Sequence, residues 1–88
     1  MSYRFQLAGP AQRYFRRLDR SMQQRIARRL EQLADDPLSD DLSKSLHGLG
    51  DLRSSRVGDY RIVFSVDTEA QTVQVARIGP RGDVYSDL

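Results

Sequence analysis

The sequence predicts a single α+β domain over residues 1–88. An N-terminal strand and a two-helix antiparallel hairpin come first, and an antiparallel meander of three or four strands follows. Two observations predict this order, β-α-α-β-β-β with an optional last strand. Apolar residues recur at helical spacing between residues 10 and 35, and they alternate with period two from residue 52 onward. A chain of 88 residues has room for one small domain.

The first strand and the first helix are predicted from residues 3–19. Residues 3–7 (YRFQL) alternate, which places Tyr3, Phe5 and Leu7 on one face of a short strand. Gly9-Pro10 ends the alternation, and proline is tolerated at the first position of a helix. A helix is predicted over 10–19, because four apolar residues follow at spacings of three and four: Ala11, Tyr14, Phe15 and Leu18.

A second helix is predicted over residues 21–35. Ser21 followed by Gln24 has the form of a capping box, and Asp35-Asp36-Pro37 ends the helical spacing. The apolar residues between these signals form one stripe: Met22, Ile26, Leu30 and Leu33. Because almost no connector separates the two helices, we expect an antiparallel helical hairpin.

The rest of the chain is predicted to form a surface loop and a meander. The segment 37–51 is rich in Pro, Ser, Asp and Gly, which is typical of a long connection. We expect a twisted antiparallel sheet that carries both helices on one face and leaves the other face open. Three alternating segments predict its strands: 52–57, 60–66 and 72–78. Gly79-Pro80-Arg81-Gly82 is then expected to turn the chain into a short last strand, DVYSD.

The turn between the first two meander strands determines how their side chains pair. Gly58-Asp59 has glycine first, which is the chemistry of a type II′ hairpin. A two-residue loop places Arg56 opposite Arg61 on the open face and Val57 opposite Tyr60 on the core face. Opposed like charges are destabilising, so the arginine pair indicates an anion there, either a phosphate or a carboxylate. The alternative is that both arginines form ordinary surface ion pairs with acidic residues of the chain: Asp51, Asp59 or Asp83.

Charge is distributed unevenly along the sequence. Residues 1–34 hold eight arginines against two acidic residues, and residues 35–51 hold five aspartates against Lys44. Lys44 is the single lysine, so thirteen of the fourteen basic residues are arginine. The planar guanidinium binds phosphate or carboxylate through two hydrogen bonds, which indicates a polyanion or an acidic protein as partner. A GC-rich coding sequence explains the arginine bias equally well.

Several classes of protein do not fit the inventory of residues. The chain has no cysteine, and His47 is its one histidine, so neither disulfides nor a zinc site is expected. His47 falls in the predicted loop, which argues against a buried Ser-His-Asp arrangement. We find no calcium-loop, Walker or dinucleotide-binding spacing, and we expect no cofactor and no metal. The apolar runs are too short for a membrane span or a signal peptide, so we expect a cytoplasmic protein without a membrane partner.

Nearly the whole chain, residues 3–85, resembles the RelE/ParE superfamily of toxins from bacterial toxin-antitoxin pairs, and it is closer to the RelE branch. The two most specific motifs are R-V-G-D-Y-R at 56–61 and G-x-R-x-D-V-Y at 79–85. Four segments follow one another in the family's order: FRRLDRSMQQRIARRLEQLADDP, KSLHGLGDL, RVGDYRIVFSVD and VQVARIGPRGDVY. The presence of both motifs, in this order after the helical hairpin, makes the resemblance specific.

The resemblance implies a β-α-α-β-β-β toxin that is neutralised by a RelB-like antitoxin wrapped around it. In the RelE branch it implies an mRNA endonuclease that enters the A site of the 70S ribosome and stops translation. The chemistry implied is metal-independent attack of a ribose 2′-hydroxyl on the scissile phosphate. Operator DNA would be bound only indirectly, through the antitoxin complex.

Roles for individual residues also come from the resemblance. Arg61 corresponds to the arginine that stabilises the phosphate transition state, and Arg81 to the arginine that assists the leaving group. Tyr85 corresponds to the tyrosine that acts on the attacking 2′-hydroxyl or stacks on a base. With a reference pKa of about 10 such a base is weak, so the enzyme would gain most from a ribosome that positions its substrate. The substrate-binding candidates are Arg56, Arg53, Ser54 and Lys44.

Three positions depart from the RelE pattern. Leu52 and Ser54 stand where RelE-type enzymes often have lysines, and Pro80 stands where many relatives have a histidine. These departures leave two alternatives to the nuclease. One is a ParE-like toxin that inhibits DNA gyrase without cleaving nucleic acid. The other is a binding module whose one ligand is its antitoxin.

Overall fold

The structure is a computed structural model that describes residues 2–46 and 48–80. Within these ranges the chain forms two helices and five strands, in the predicted order apart from one additional short strand. In chain order they are β1 (Arg4–Leu7), α1 (Gly9–Arg17), α2 (Arg20–Asp35), β2 (Lys44–Ser45), β3 (Arg53–Val57), β4 (Tyr60–Asp67) and β5 (Thr72–Pro80).

The strands form one mixed sheet in the order β1-β5-β4-β3-β2. The meander is confirmed, because β3, β4 and β5 pair with their chain neighbours in antiparallel fashion. The expectation of a wholly antiparallel sheet is wrong at β1, which lies parallel to β5 with Phe5 beside Val73 and Leu7 beside Val75. Alternation of apolar and polar residues fixes the face of a strand but not its direction, so the sequence pattern fits either pairing.

The two helices begin and end close to their predicted limits. Helix α1 starts at Gly9 with Pro10 in its first turn, and it ends at Arg17 rather than at residue 19. Helix α2 starts at Arg20, and the Asp19 carboxylate accepts a hydrogen bond of 2.8 Å from the backbone N–H of Met22. The predicted Ser21 capping box is therefore wrong. An aspartate two residues earlier caps the helix, which leaves Ser21 inside the first turn. Neither helix is long and apolar enough to span a membrane.

Both helices pack on one face of the sheet, as predicted. Tyr14 of α1 lies against Tyr60 of β4, with ring centroids 6.2 Å apart. Between the helices and the sheet lies one cluster of buried apolar side chains: Ala11, Ile26, Leu30, Leu33, Val57, Ile62, Phe64, Val73, Val75 and Ile78. Full burial of each large side chain stabilises the fold by about 1.5 to 3 kcal/mol, so this layer fixes the helices over the sheet.

Two segments differ from their predicted conformation. The loop predicted over 37–51 contains β2, which pairs with β3 through Lys44 beside Ser54 and Ser45 beside Arg53. The turn predicted at Gly79-Pro80 is instead the end of β5, where Pro80 lies opposite Tyr60. Proline is compatible with a strand end, since it removes only its own N–H from the ladder. The predicted last strand, DVYSD, lies outside the described residues.

Candidate functional site

The β3-β4 hairpin forms the base of the candidate site. Gly58 has a φ of 59°, and Asp59 is not among the residues with positive φ, which fits the predicted type II′ turn. The pairing is also the predicted one, with Val57 opposite Tyr60 and Arg56 opposite Arg61. In a two-residue hairpin the pair next to the closing pair exchanges no backbone hydrogen bonds. The Cα atoms of such a pair are only about 4.5 Å apart, which brings its side chains close together.

The two opposed arginines have no acidic partner within residues 2–46 and 48–80. Arg56 donates from Nε to the backbone oxygen of Gly58 at 3.1 Å. Arg61 is half-buried, and its Nε is a buried donor without a hydrogen-bond partner. Pairing of either arginine with Asp51 or Asp59 is therefore ruled out, and Asp83 lies outside the described residues. A buried donor without a partner costs about 1 to 3 kcal/mol, so this pair favours an incoming anion.

A cleft of about 480 Å³ lies over this arginine pair, beside the segment that leads into β2. Its basic groups are the Arg56 and Arg61 pair, Lys44 and Arg29, and two aspartates also border it. The residues that line it are Arg29, Asp40, Asp41, Leu42, Ser43, Lys44, Leu46, Ser54, Arg56 and Arg61. Asp40 is already paired, because its carboxylate accepts from Nη2 of Arg53 at 3.3 Å. Four cations then face one unpaired carboxylate, which makes the cleft a site for an anion.

Four of the described candidates from the sequence lie together in this cleft. Ser54 is a register neighbour of Lys44, and it is on the same face of β3 as Arg56 because the two are two residues apart. Arg61 faces Arg56 from β4. Ser54 is buried at 8% exposure, whereas Lys44 is exposed. The four side chains can therefore surround one phosphate from two sides.

Arg53 lies on the other face of β3, opposite the core residue Phe64. Its guanidinium donates to the Ser43 hydroxyl at 2.9 Å, the Ser43 backbone oxygen at 3.1 Å and the Ser45 hydroxyl at 3.2 Å. The side chain is 11% exposed, and Arg53 is absent from the lining of the cleft. The structure thus separates Arg53 from the other substrate-binding candidates. Its contacts hold the segment that carries Lys44 against β3.

Arg29 of α2 is a site residue that the sequence reasoning missed. Its Nη1 donates to the Arg56 backbone oxygen at 2.7 Å and to the Ser55 hydroxyl at 2.9 Å. The Ser55 hydroxyl in turn donates to the Leu42 backbone oxygen at 2.7 Å. These bonds join the helix, β3 and the segment before β2. The charge patterning of α2 gives no signal for this contact, since Arg25, Arg28 and Arg29 look alike in the sequence.

The remaining sequence candidates, Arg81 and Tyr85, lie outside the described residues, as does His47. The described part of β5 ends at Pro80, one residue after Gly79, the partner of Arg61. Within the described ranges, no group of three or more His, Asp or Glu residues is arranged to hold a metal ion.

Comparison with known proteins identifies relatives over almost the full length of the chain. The family model of the ParE toxin of type II toxin-antitoxin systems, parDE, matches residues 5–85. Curated protein sequences give no significant match.

Solved structures give close matches of fold. The toxin-antitoxin complex RelBE2 from Mycobacterium tuberculosis contains a chain that is 25% identical, with a TM-score of 0.80, over 92% of this chain and 100% of that chain. The archaeal RelE-RelB complex from Pyrococcus horikoshii contains a chain that is 26% identical, with a TM-score of 0.79, over 93% of this chain and 98% of that chain. The intact E. coli RelBE complex shares the fold at 21% identity and a TM-score of 0.80, over 90% and 96%.

Proposed function

We propose that this chain, which belongs to the ParE toxin family of type II toxin-antitoxin systems within the RelE/ParE superfamily, is a ribosome-dependent mRNA endonuclease. In this proposal the toxin enters the ribosomal A site, cuts the mRNA there and stops translation. The site of action would then be the cytoplasm, where ribosomes are.

The observation that carries the proposal is the opposed pair Arg56 and Arg61 in a cleft with Lys44. Within the described residues neither arginine has an acidic partner, and Nε of Arg61 is buried without a hydrogen bond. A protein gains no stability from such a pair, because opposed like charges are destabilising. An anionic ligand supplies the missing negative charge, and the phosphodiester of RNA matches the fork of the guanidinium.

The proposed mechanism gives each cleft residue a role around one phosphate. When the 2′-hydroxyl attacks, negative charge grows on the phosphate oxygens, and Arg61 neutralises it from β4 while Arg56 does so from β3. Lys44 and Ser54 orient the strand of RNA beside them. Arginine stays protonated in proteins, so it supplies charge and not a base. The resemblance assigns the proton-transfer roles to Tyr85 and Arg81, which remain proposals.

Primer extension on mRNA translated in vitro tests this proposal. We expect protein-dependent cuts within codons on translating ribosomes, and none on the same mRNA without ribosomes. Arg61→Met combined with Arg81→Met should remove the cuts, whereas Arg17→Gln combined with Arg20→Gln, outside the cleft, should leave them. Undiminished cutting by the variant with Arg61→Met and Arg81→Met would contradict the assignment of the site.

A second candidate function is inhibition of DNA gyrase without cleavage. Two observations favour it: the matching family model is that of ParE toxins, and Ser54 occupies a position where RelE-type enzymes often have a lysine. A gyrase supercoiling assay distinguishes the two functions, since the proposed nuclease has no effect on gyrase at excess protein. Inhibition of supercoiling together with intact mRNA would select the gyrase function instead.

The proposed partner in the cell is a RelB-like antitoxin. All three of the similar structures described above are toxin-antitoxin complexes, and the one from Pyrococcus horikoshii is a complex of RelE with RelB. Expression of this chain alone should arrest growth, and co-expression of the protein encoded beside it should restore growth. Unimpaired growth without the neighbour would favour the alternative of a binding module that harms no target.

A further inference from the structure

A second arginine-rich hollow lies where α2 passes the turn of the β3-β4 hairpin. We name it the hairpin groove. Its volume is about 200 Å³. The residues that line it come from α2 and from the end of β3: Arg25, Arg28, Arg29, Gln32, Arg56, Val57 and Gly58. Four of these seven residues are arginines, and none is acidic.

The hairpin turn lets two of these guanidinium groups approach its backbone. A Cβ placed on Gly58 would lie 3.1 Å from Nη2 and 3.3 Å from Nη1 of Arg25. Because glycine has no Cβ, the Arg25 guanidinium can lie this close to the turn. Arg56 donates to the backbone oxygen of the same glycine at 3.1 Å. Both groups therefore lie at the turn.

The positive charge in the hairpin groove is not compensated by the described part of the chain. Arg25 and Arg28 make no ion pair with any residue of the ranges 2–46 and 48–80, and the one polar neutral group beside them, Gln32, accepts from Arg29. Arg29 is fixed by Ser55 and by the backbone of Arg56. Repulsion among such groups is lowered by a bound anion, and a phosphate offers several acceptors at once.

We propose that the hairpin groove binds a backbone phosphate of the same RNA strand, next to the phosphate held in the cleft. Arg29 and Arg56 line both hollows, so the two sites are continuous around the edge of β3. One RNA strand then runs from Arg61, past Arg56, to Arg25 and Arg28. This inference rests on the proposed function, because it takes RNA as the ligand of the cleft.

The lining of the hairpin groove favours RNA over an acidic protein segment. Val57 is the one apolar residue there, and it is buried at 5% exposure, so it offers little apolar surface. Protein segments that bind specifically bury aromatic or aliphatic anchors at the centre of their interface. A phosphate backbone needs only charge and hydrogen-bond donors, and arginine supplies both.

Binding of a fluorescent RNA of ten nucleotides tests the proposal. Its riboses carry 2′-O-methyl groups, which block cleavage. We expect Arg25→Gln combined with Arg28→Gln to weaken binding of this RNA at least fivefold. The slope of log affinity against log salt should also fall by about 0.7 for each phosphate that the variant no longer binds. A dinucleotide, which fills the cleft alone, should bind both proteins equally.

The matched control is Arg17→Gln combined with Arg20→Gln, which removes the same charge from residues that line neither hollow. We expect it to change binding less than twofold. Equal losses of affinity for the two double variants would overturn the hairpin groove and leave the proposed nuclease intact. Absence of RNA binding by the unaltered protein would overturn the hairpin groove alone, because the proposed nuclease is tested separately by its cuts on translating ribosomes. A larger loss of affinity for a ten-residue oligoglutamate than for RNA would assign the groove to an acidic protein.

Discussion

Arg53 is buried and Arg61 is half-buried, and the contacts of these two arginines of one hairpin differ. Arg53 donates to Ser43, to Ser45 and to the carboxylate of Asp40. Arg61 has a buried Nε without a partner, and it faces Arg56. The contacts of Arg53 therefore stabilise the folded protein, whereas the unpaired charge of Arg61 destabilises it. Substitution should therefore destabilise the protein at Arg53 and not at Arg61.

Arg53→Met should lower the free energy of unfolding by about 2 kcal/mol, because it leaves the buried hydroxyl and carbonyl groups of Ser43 without their donor. Urea unfolding followed by circular dichroism measures this. The control is Asp40→Asn: the Asp40 side chain is 92% exposed, so its ion pair contributes at most about 0.5 kcal/mol. An equal loss of stability in both variants would show that the ion pair, rather than the serine contacts, stabilises the loop.

Arg61→Met should leave stability unchanged or raise it by about 0.5 kcal/mol. Methionine keeps much of the apolar length of the side chain while it removes the repulsion from Arg56 and the orphaned Nε. The same urea experiment measures the change, with Arg53→Met as the matched substitution. A loss above about 1 kcal/mol at Arg61 would mean that its charge is already neutralised within the chain, and the anion site would lose its physical basis.

At the level of single residues, the sequence correctly predicted which two arginines oppose each other. The grouping of Arg53 with the substrate-binding residues did not match its place in the structure. The Gly58-Asp59 turn fixes the pairing of Arg56 with Arg61 by counting. Counting also places Arg53 on the face of Val57, which is the core face, so its exclusion from the cleft follows from the alternation. The contact of Arg29 could not be predicted in this way, because it depends on where a helix crosses the sheet.

At the level of elements, the hairpin turn connects the cleft to the hairpin groove. Gly58→Ala should lower stability by about 1 to 2 kcal/mol, since its φ of 59° strains an alanine and the new methyl group lies 3.1 Å from Arg25. Thermal unfolding measures this loss of stability. Gly50→Ala is the matched control, because Gly50 has a φ of 65° with nothing within 4 Å of the added Cβ. It should show the backbone strain alone, about 1 kcal/mol.

A second comparison isolates the contact with Arg25. In the background of Arg25→Gln, the cost of Gly58→Ala should be smaller than in the unaltered protein, because the shorter side chain leaves room for the methyl group. If the cost stays the same in that background, Arg25 does not lie against the turn, and the proposed path of RNA over the hairpin does not include it.

The elements that the sequence predicted well are those with a long periodic pattern. Helix α2 and strands β3, β4 and β5 each carry several buried residues at fixed spacing. The two-residue strand β2 could not be predicted, since Lys44 and Ser45 have no apolar pattern and are held by contacts from β3. The parallel direction of β1 could not be predicted either, because the alternation of its residues fits both directions. The capping residue of α2 could not be predicted, because Asp19 and Ser21 can both cap a helix and the sequence does not show which of them precedes the first turn.

At the level of the whole molecule, the fold brings separated positive charges together at one edge of the sheet. The sequence shows arginines on α2 and arginines on β3 and β4 as two groups. In the structure Arg29 touches the backbone of Arg56, so the two groups border one continuous basic surface. Such a surface raises the rate of encounter with a polyanion, and its effect falls as salt rises.

The central claim is that the Arg56 and Arg61 pair stabilises a scissile RNA phosphate. The most direct test is the single-turnover rate of mRNA cleavage on purified 70S ribosomes stalled with an empty A site. We expect Arg61→Met to lower the rate constant by about 10² to 10³, since one donor to a developing oxyanion is worth about 3 to 4 kcal/mol. Arg17→Gln should leave it within twofold. An Arg61→Met rate equal to that of the unaltered protein would contradict the claim.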